Sequence, residues 1–165
     1  MSRAKNEEIS LKASQIDELY TLHTFVGRKV VGTLVALIQS EREVSLRDLK
    51  VTDEIETLRT PTIPVLRWFK LKPSVVESYR GRGIGRMMLE HFLKWCREME
   101  IHEVHGLVVQ NDLKRLPWIL DWYRRCGFEV HPPDERCIAN AVHMIVWRND
   151  NRYPSGGGAS NGSLK

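Results

Sequence analysis

The sequence predicts a mixed α/β domain, and three patterns predict it. Apolar residues alternate through Leu19 to Val26 and again through Val30 to Ile38, the period of half-buried strands. From Ile84 to Met99 the period becomes helical, with Ile84, Met88, Phe92, Trp95 and Met99 on one stripe. Trp122 to Val130 then reads as a helix end, a stop and a strand start. Arg124 and Arg125 suit the negative end of a helix, Gly127 the left-handed position after it, and Phe128 and Val130 a strand.

The elements follow in chain order. Glu8 to Ala13 alternates, with Ile9 and Leu11 on one face, and is a short strand. Gly27-Arg28-Lys29 joins the two long alternating runs as a β-hairpin with a glycine-containing turn. Val44 to Val51 is a strand whose alternation slips: Val44 and Leu46 share one phase, Leu49 and Val51 the other. One extra residue near Arg47 and Asp48 accounts for this, the signature of a β-bulge. Thr52 to Pro73 combines Thr60-Pro61-Thr62-Ile63-Pro64 with apolar Val65, Leu66, Trp68, Phe69 and Leu71. Within the Ile84–Met99 helix, Glu90 and Lys94 are spaced for an exposed i,i+4 pair, and Met87, Met88, Trp95 and Cys96 read as core. Val104 to Val109 is a buried strand ended by Asn111 and Asp112. Pro117 suits the first turn of a helix reaching Cys126. Phe128 to His131 and Ala141 to Trp147 are the last strands.

Composition sets bounds. A chain of 165 residues is long enough for one domain with a sizeable core, here residues 1–148. Residues 149–165 are rich in Gly, Ser and Asn and are expected to form a flexible tail. Apolar content of 42% and charged content of 28% are those of a soluble globular protein. No apolar run approaches the roughly 18 residues of a membrane span. Met1 to Glu8 has no apolar signal-like core, which argues against export. Cys96, Cys126 and Cys137 are odd in number and show no C-x-x-C spacing, as expected of reduced thiols in a cytoplasmic setting. His102 and His105 are three apart, but no carboxylate or cysteine completes an obvious metal set, so no metal is expected. The net charge of +4 suits a polyanionic partner. It also permits weak nucleic-acid binding, although no long basic run singles that out, and a homodimer is compatible with the composition.

The most informative stretch is Tyr79-Arg80-Gly81-Arg82-Gly83-Ile84-Gly85-Arg86. Glycines let backbone N–H groups turn toward a ligand, and the helix that follows starts with unpartnered N–H groups and a partial positive charge. With three arginines around them these groups form an anion cradle. It is not a P-loop, because no Lys-[Ser/Thr] follows the glycines. It is not the dinucleotide G-x-G-x-x-G, because Arg86 stands where close helix–strand packing needs the last glycine. Kinase lysine and Asp-Phe-Gly motifs are missing from the sequence. RGG-type RNA segments are repeated and disordered, whereas this one runs straight into an apolar helix.

Val75 followed by Arg80-Gly81-Arg82-Gly83-Ile84-Gly85 does fit an aliphatic residue five positions ahead of [QR]-x-x-G-x-[GA]. This resembles motif A of the GNAT superfamily, the acyl-CoA-dependent N-acetyltransferases, whose loop amides bind the CoA pyrophosphate. Tyr123-Arg124-Arg125-Cys126-Gly127-Phe128 resembles the Tyr-x-x-x-Gly-Phe signature of motif B, in the matching order. The resemblance implies a mixed, mostly antiparallel sheet flanked by helices, with splayed strands 4 and 5 binding acyl-CoA. It implies a cofactor site at Val75, Arg80, Gly81, Arg82, Gly83, Ile84, Gly85, Arg86 and Asn111, the last matching an asparagine that contacts the pantetheine arm. It implies Tyr123 as the acid that protonates the departing CoA thiolate.

The chain departs from the family pattern in two places. Between the first strands only Ser14 to Glu18 is available for helices the family usually has. The bulged fourth strand usually leads straight into the loop, whereas here Thr52 to Pro73 intervenes, as an insertion over the active-site mouth or a split strand; alternatively Val65 to Val76 is itself strand 4.

The implied reaction is direct attack of a primary amine on the thioester carbonyl of acetyl-CoA. A free backbone amide at Val75 or Val51, depending on which segment is strand 4, would polarise that carbonyl. An alkylamine with a pKa of roughly 10.4 is almost wholly protonated at neutral pH, so a base is useful. Asp48 and Glu77 are the candidates. The acceptor is a small molecule or a protein or peptide amine. A non-catalytic acyl-CoA sensor and an acetyltransferase acting on aminoacyl-tRNA are the alternatives.

Overall fold

The computed structural model describes residues 8–52, 79, 81–135 and 140–149. Among the described residues, seven strands form a sheet in the order β1-β2-β3-β4-β5-β7-β6, and three helices accompany it. The strands are β1 (Ile9–Ile16), β2 (Leu19–Val26), β3 (Lys29–Ser40), β4 (Glu43–Val51), β5 (Glu103–Val109), β6 (Glu129–His131) and β7 (Ala141–Arg148). The helices are α1 (Ile84–Glu98), α2 (Gln110–Arg115) and α3 (Ile119–Arg125). Mixed α/β architecture, with an antiparallel meander and later helix–strand units, agrees with the sequence-based expectation. Among the described residues no helix is long and apolar enough to cross a membrane. The chain divides into two compact units, Met1–Leu37 with Leu46–Leu93, and Ile38–Ser45 with Lys94–Lys165.

In the first unit β1, β2 and β3 form an antiparallel meander. β1 extends past the expected Ala13 to Ile16 and turns at Asp17-Glu18 directly into β2, so Ser14 to Ile16 is strand. Asp17 takes φ 51°, a conformation aspartate tolerates better than most residues. Gly27 supplies φ 60° at the first loop position of the β2–β3 hairpin, as a two-residue turn opening on glycine requires. The β2–β3 register shifts between Thr24 and Phe25, where Val31 is the extra residue of β3 and is fully buried. Tyr20, Leu22, Thr24 and Val26 of β2 and Leu34 and Ala36 of β3 form the buried face. α1 lies against it: Phe92 meets Tyr20 with ring centroids 5.4 Å apart. A Cβ on Gly32 would stand 2.6 Å from Met88 Sδ and 3.4 Å from Ile84 Cγ2, so the glycine lets the helix come close.

In β4 the burial alternation breaks where the sequence places the slip. Val44, Ser45 and Leu46 are buried in a row, and Arg47 and Asp48 are both exposed.

In the second unit β5 pairs with β7 and β7 with β6, all antiparallel. Val104, Val108, Ile145 and Trp147 are buried here, with Cys96 and Ile101. The Arg97 guanidinium lies 5.3 Å from the Trp147 ring centroid. Asn149 donates from N to His102 O at 2.9 Å and from Nδ2 to Ile101 O at 3.1 Å, so the first residue of the expected tail is anchored. Residues 150–165 lie outside the described residues, as does Cys137. So do residues 53–78, which hold most of the intervening segment and the whole alternative strand from Val65 to Val76.

Three local expectations are corrected. Met99 belongs to the turn after α1 and is 51% exposed, because the helical stripe ends with Glu98. Glu90 pairs with Arg86 at 2.8 Å and Lys94 with Glu98 at 3.8 Å, in place of the expected Glu90–Lys94 pair. Glu90 lies one helical turn from each cation, and the guanidinium, with its fork of donors, is its partner. Asn111 and Asp112 do not end a strand in a loop. They open α2, which periodicity over six residues is too short to reveal, and Pro117 falls in the turn before α3.

Candidate functional site

In the described part of the glycine loop the backbone accounts for the glycines. Gly81 and Gly83 take φ 74° and 77°, in the left-handed region that penalises any Cβ. Met87 N–H donates to Gly83 O at 3.0 Å. That is the first i→i−4 bond of the helix, which makes Gly83 the N-cap. A glycine N-cap has no side-chain oxygen to offer the first turn. The amides of Gly83, Ile84 and Gly85 therefore have no intrahelical acceptor and no cap side chain to bond to. Gly85 is different from the other two: it lies inside α1, where alanine would also fit the backbone.

Charge in the described part of the cradle is positive. The first turn of α1 carries no acidic residue, although an acid there would favour the helix dipole. It carries Arg86 instead. Arg86 Nε bonds Glu90 Oε1 at 2.8 Å with both side chains more than half exposed. Such a pair is worth only about 0–1 kcal/mol, little enough to yield to a phosphate. Arg82 lies with its Cζ 4.9 Å from the ring centroid of Tyr79, which is 1% exposed. Tyr79 is thus a buried platform beside the cradle that motif reasoning overlooks. The i,i+3 spacing of an aromatic and an arginine is its one sequence signal. Val75, Glu77 and Arg80 lie outside the described residues. Asp48 is exposed on β4.

The second motif is equally legible as backbone geometry. Phe128 N–H donates to Tyr123 O at 3.1 Å and Gly127 N–H to Arg124 O at 3.0 Å. With Cys126 as C-cap and Gly127 at φ 89°, these two bonds make a Schellman motif. The apolar contact that completes such a motif is Phe128 on Tyr123, with ring centroids 5.6 Å apart. Trp122 also packs edge-on to Tyr123, with ring centroids 4.9 Å apart. The Tyr-x-x-x-Gly-Phe spacing is therefore what a Schellman stop requires to lock its tyrosine, and Tyr123 is 9% exposed as a result. Asn111 is exposed in the first turn of α2. Asp112 Oδ2 accepts from Val109 N at 3.5 Å, closing the β5–α2 junction.

The second unit also holds a cluster that sequence spacing does not reveal. His105 is buried at 5% exposure, and its Nδ1 lies 3.2 Å from Glu43 Oε1. The donor atoms of Glu43, Glu103 and His105 all lie within 4.8 Å of one another. His102, the histidine paired with His105 by spacing, is no member of this cluster. Glu43 is far from its two partners in the chain, so no local pattern could join them.

Comparison with known proteins identifies a family. A family model described as an acetyltransferase (GNAT) domain matches residues 20–130, more than half of the chain. No curated protein sequence matches it. Among solved structures, the PaiA N-acetyltransferase from Thermoplasma acidophilum, in complex with coenzyme A, superposes with a TM-score of 0.54 at 16% identity. That match covers 80% of this chain and 62% of the other, so the chain spans less than two thirds of that relative. A GNAT family acetyltransferase from Elizabethkingia anophelis with acetyl-CoA bound gives a TM-score of 0.56 at 8% identity, covering 88% of this chain and 100% of the other. Nourseothricin acetyltransferase gives 0.52 at 15%, covering 80% and 66%. At these identities the likeness is one of fold.

Proposed function

Because this chain belongs to the GNAT acetyltransferase family, we propose that it transfers an acetyl group from acetyl-CoA to a primary amine. The acceptor is a small molecule or a protein or peptide amine, and transfer is direct, within a ternary complex. The observation that carries the reading is the cradle: two left-handed glycines, an N-cap without a side chain, and a first turn bearing arginine and no acid. That arrangement fits a pyrophosphate, whose oxygens accept N–H bonds and whose charge complements the helix dipole.

In this proposal the amides of Gly83, Ile84 and Gly85 hold the CoA pyrophosphate, with Gly81 shaping the approach. Arg80, Arg82 and Arg86 add charge-assisted bonds, worth about 1.5–3 kcal/mol each. Asn111 contacts the pantetheine arm, and Val75 or Val51 offers the amide that polarises the thioester carbonyl. The amine nitrogen forms the new C–N bond as the C–S bond breaks. Its proton passes to a base, Asp48 or Glu77, directly or through water. The thiolate takes a proton from the Tyr123 hydroxyl. Each such acid–base step typically contributes about 10²–10⁴-fold. The ring contacts of Tyr123 with Trp122 and Phe128 support the assignment, since a proton donor must be held in place. Reduced thiols at Cys96 and Cys126 suit a reducing compartment such as the cytoplasm.

The test is acetyl-CoA-dependent thiol release across a panel of amines, paired with calorimetric CoA binding. We expect binding, turnover with at least one amine class, and a Tyr123→Phe variant that keeps CoA affinity while losing turnover. Failure to bind any acyl-CoA would remove the reading of the cradle. One observation favours a second reading: Asp48 is exposed, so it lacks the fixed surroundings of an efficient base. Tight CoA binding with no turnover on any amine would establish the chain as an acyl-CoA-sensing module instead.

A further inference from the structure

We propose that Glu43, Glu103 and His105 hold a divalent transition-metal cation of the zinc class. The proposal is independent of the acetyl-transfer reading and uses none of its residues. Backbone bonding sets the three side chains in place. The carbonyl of Arg42, just ahead of β4, accepts from His102 N at 2.8 Å and from Glu103 N at 3.1 Å. This pins the start of β4 beside the start of β5. Glu103 and His105 are two apart in β5 and so project from the same face.

The donors suit the ion in kind and in spacing. One imidazole nitrogen and two carboxylates form a mixed N/O set, of the type zinc accepts at three protein positions with a fourth left open. Bonds of about 2.0–2.2 Å at tetrahedral angles put neighbouring donors roughly 3.3–3.6 Å apart. His105 Nδ1 and Glu43 Oε1 are already at 3.2 Å. With all donors within 4.8 Å, the Glu103 carboxylate need close by only about 1 Å, by rotation about its own bonds. The imidazole is fixed by burial, whereas the side chains of Glu43 and Glu103 are 34% and 25% exposed, which gives the ion a route in.

The ion pair between Glu103 and Arg148 can yield to this. Glu103 Oε2 faces Arg148 Nε at 3.5 Å, but Arg148 makes its shorter bond, 2.8 Å from Nη1, to Glu129 Oε2. Arg148 therefore keeps a partner when Glu103 turns to the ion. The competing arrangement is a protonated His105 bridging the two carboxylates with no metal, and the experiment separates the two.

The 165-residue chain, treated with EDTA and desalted, is titrated calorimetrically with ZnCl₂ and, separately, MnCl₂ at constant pH. We expect one-to-one zinc binding tighter than about 100 μM, with a Tm that rises as zinc is added. Glu43→Gln and Glu103→Gln should each weaken binding about tenfold or more, and His105→Asn should abolish it. His131→Ala, on an exposed histidine paired with Glu129, should bind zinc as the wild type does. If His105→Asn fails to fold, Glu103→Gln carries the test, because its side chain is part exposed and its shape is kept. Absence of a one-to-one isotherm at about 100 μM zinc overturns the proposal in favour of the imidazolium bridge. So does wild-type affinity in Glu43→Gln and Glu103→Gln.

Discussion

Replacing Gly83 with alanine separates the backbone of the cradle from its chemistry. Among the described residues nothing lies within 4 Å of a Cβ built at this position, so the new methyl meets none of them. The cost is conformational. At φ 77° an L-residue is disfavoured by about 1–2 kcal/mol. In the unliganded protein the loop avoids that cost by relaxing toward negative φ, which turns the Gly83 and Ile84 amides away from a common point. Binding must restore the strained geometry, so the cost appears as lost affinity. A loss of about 1–2 kcal/mol corresponds to a factor of about 5–30 in the dissociation constant for CoA. Gly85→Ala is the internal control. It lies inside α1, where alanine is favoured over glycine by about 0.8–1.0 kcal/mol, and its CoA affinity should stay within about twofold of wild type while Tm rises slightly. Both constants are measured by titration calorimetry with CoA, and Tm by scanning calorimetry. Wild-type CoA affinity in Gly83→Ala, or a larger loss in Gly85→Ala than in Gly83→Ala, would refute the assignment of the cradle to backbone amides held by left-handed glycines.

Further outcomes follow from packing and titration. Gly32→Ala places a Cβ 2.6 Å from Met88 Sδ in a fully buried contact, and should cost about 1–3 kcal/mol in chemical denaturation. Adding Met88→Ala removes the clash, so the double variant should lose less than the sum of the two singles. Gly127→Ala has room for its methyl, 3.9 Å from Trp147 Cδ1, yet must hold φ 89°; a loss of about 1–2 kcal/mol and a Tm lower by roughly 2–8 °C are expected. Burial pushes the Cys96 thiol up to about 12, while an unfolded thiol titrates at about 8.5. Alkylation mapped by mass spectrometry at a pH of about 8 should therefore spare Cys96 in the native protein. Because the folded state holds that proton more tightly, its contribution to stability is full below the unfolded pKa and is lost as pH rises from about 9 toward 12.

Particular residues show why some of the molecule is legible in its sequence. β2 and α1 can be placed to within a few residues because a buried face imposes its own period on the chain, about two in β2 and about 3.6 in α1. Gly27, Gly81, Gly83 and Gly127 stand out because each occupies a positive φ that other residues avoid. Pattern reading fails where no such constraint applies. α2 is too short to show a period. Met99 fits the stripe but lies one residue beyond the helix end. Glu90 has a cation one turn away on either side, and local spacing alone cannot choose between them.

By itself the sequence determined the positions governed by backbone conformation: the hairpin turn, the N-cap of α1 and the Schellman stop behind Tyr123. Each depends on a few consecutive residues whose φ values and hydrogen bonds are local. Only the tertiary structure decided which side chains meet across the sheet. Tyr79 beneath Arg82 is a borderline case, near in sequence but assigned only once burial is known. Glu43 beside His105 is the clear one, because strand pairing joins residues that chain order keeps apart, and no periodicity encodes a contact between elements.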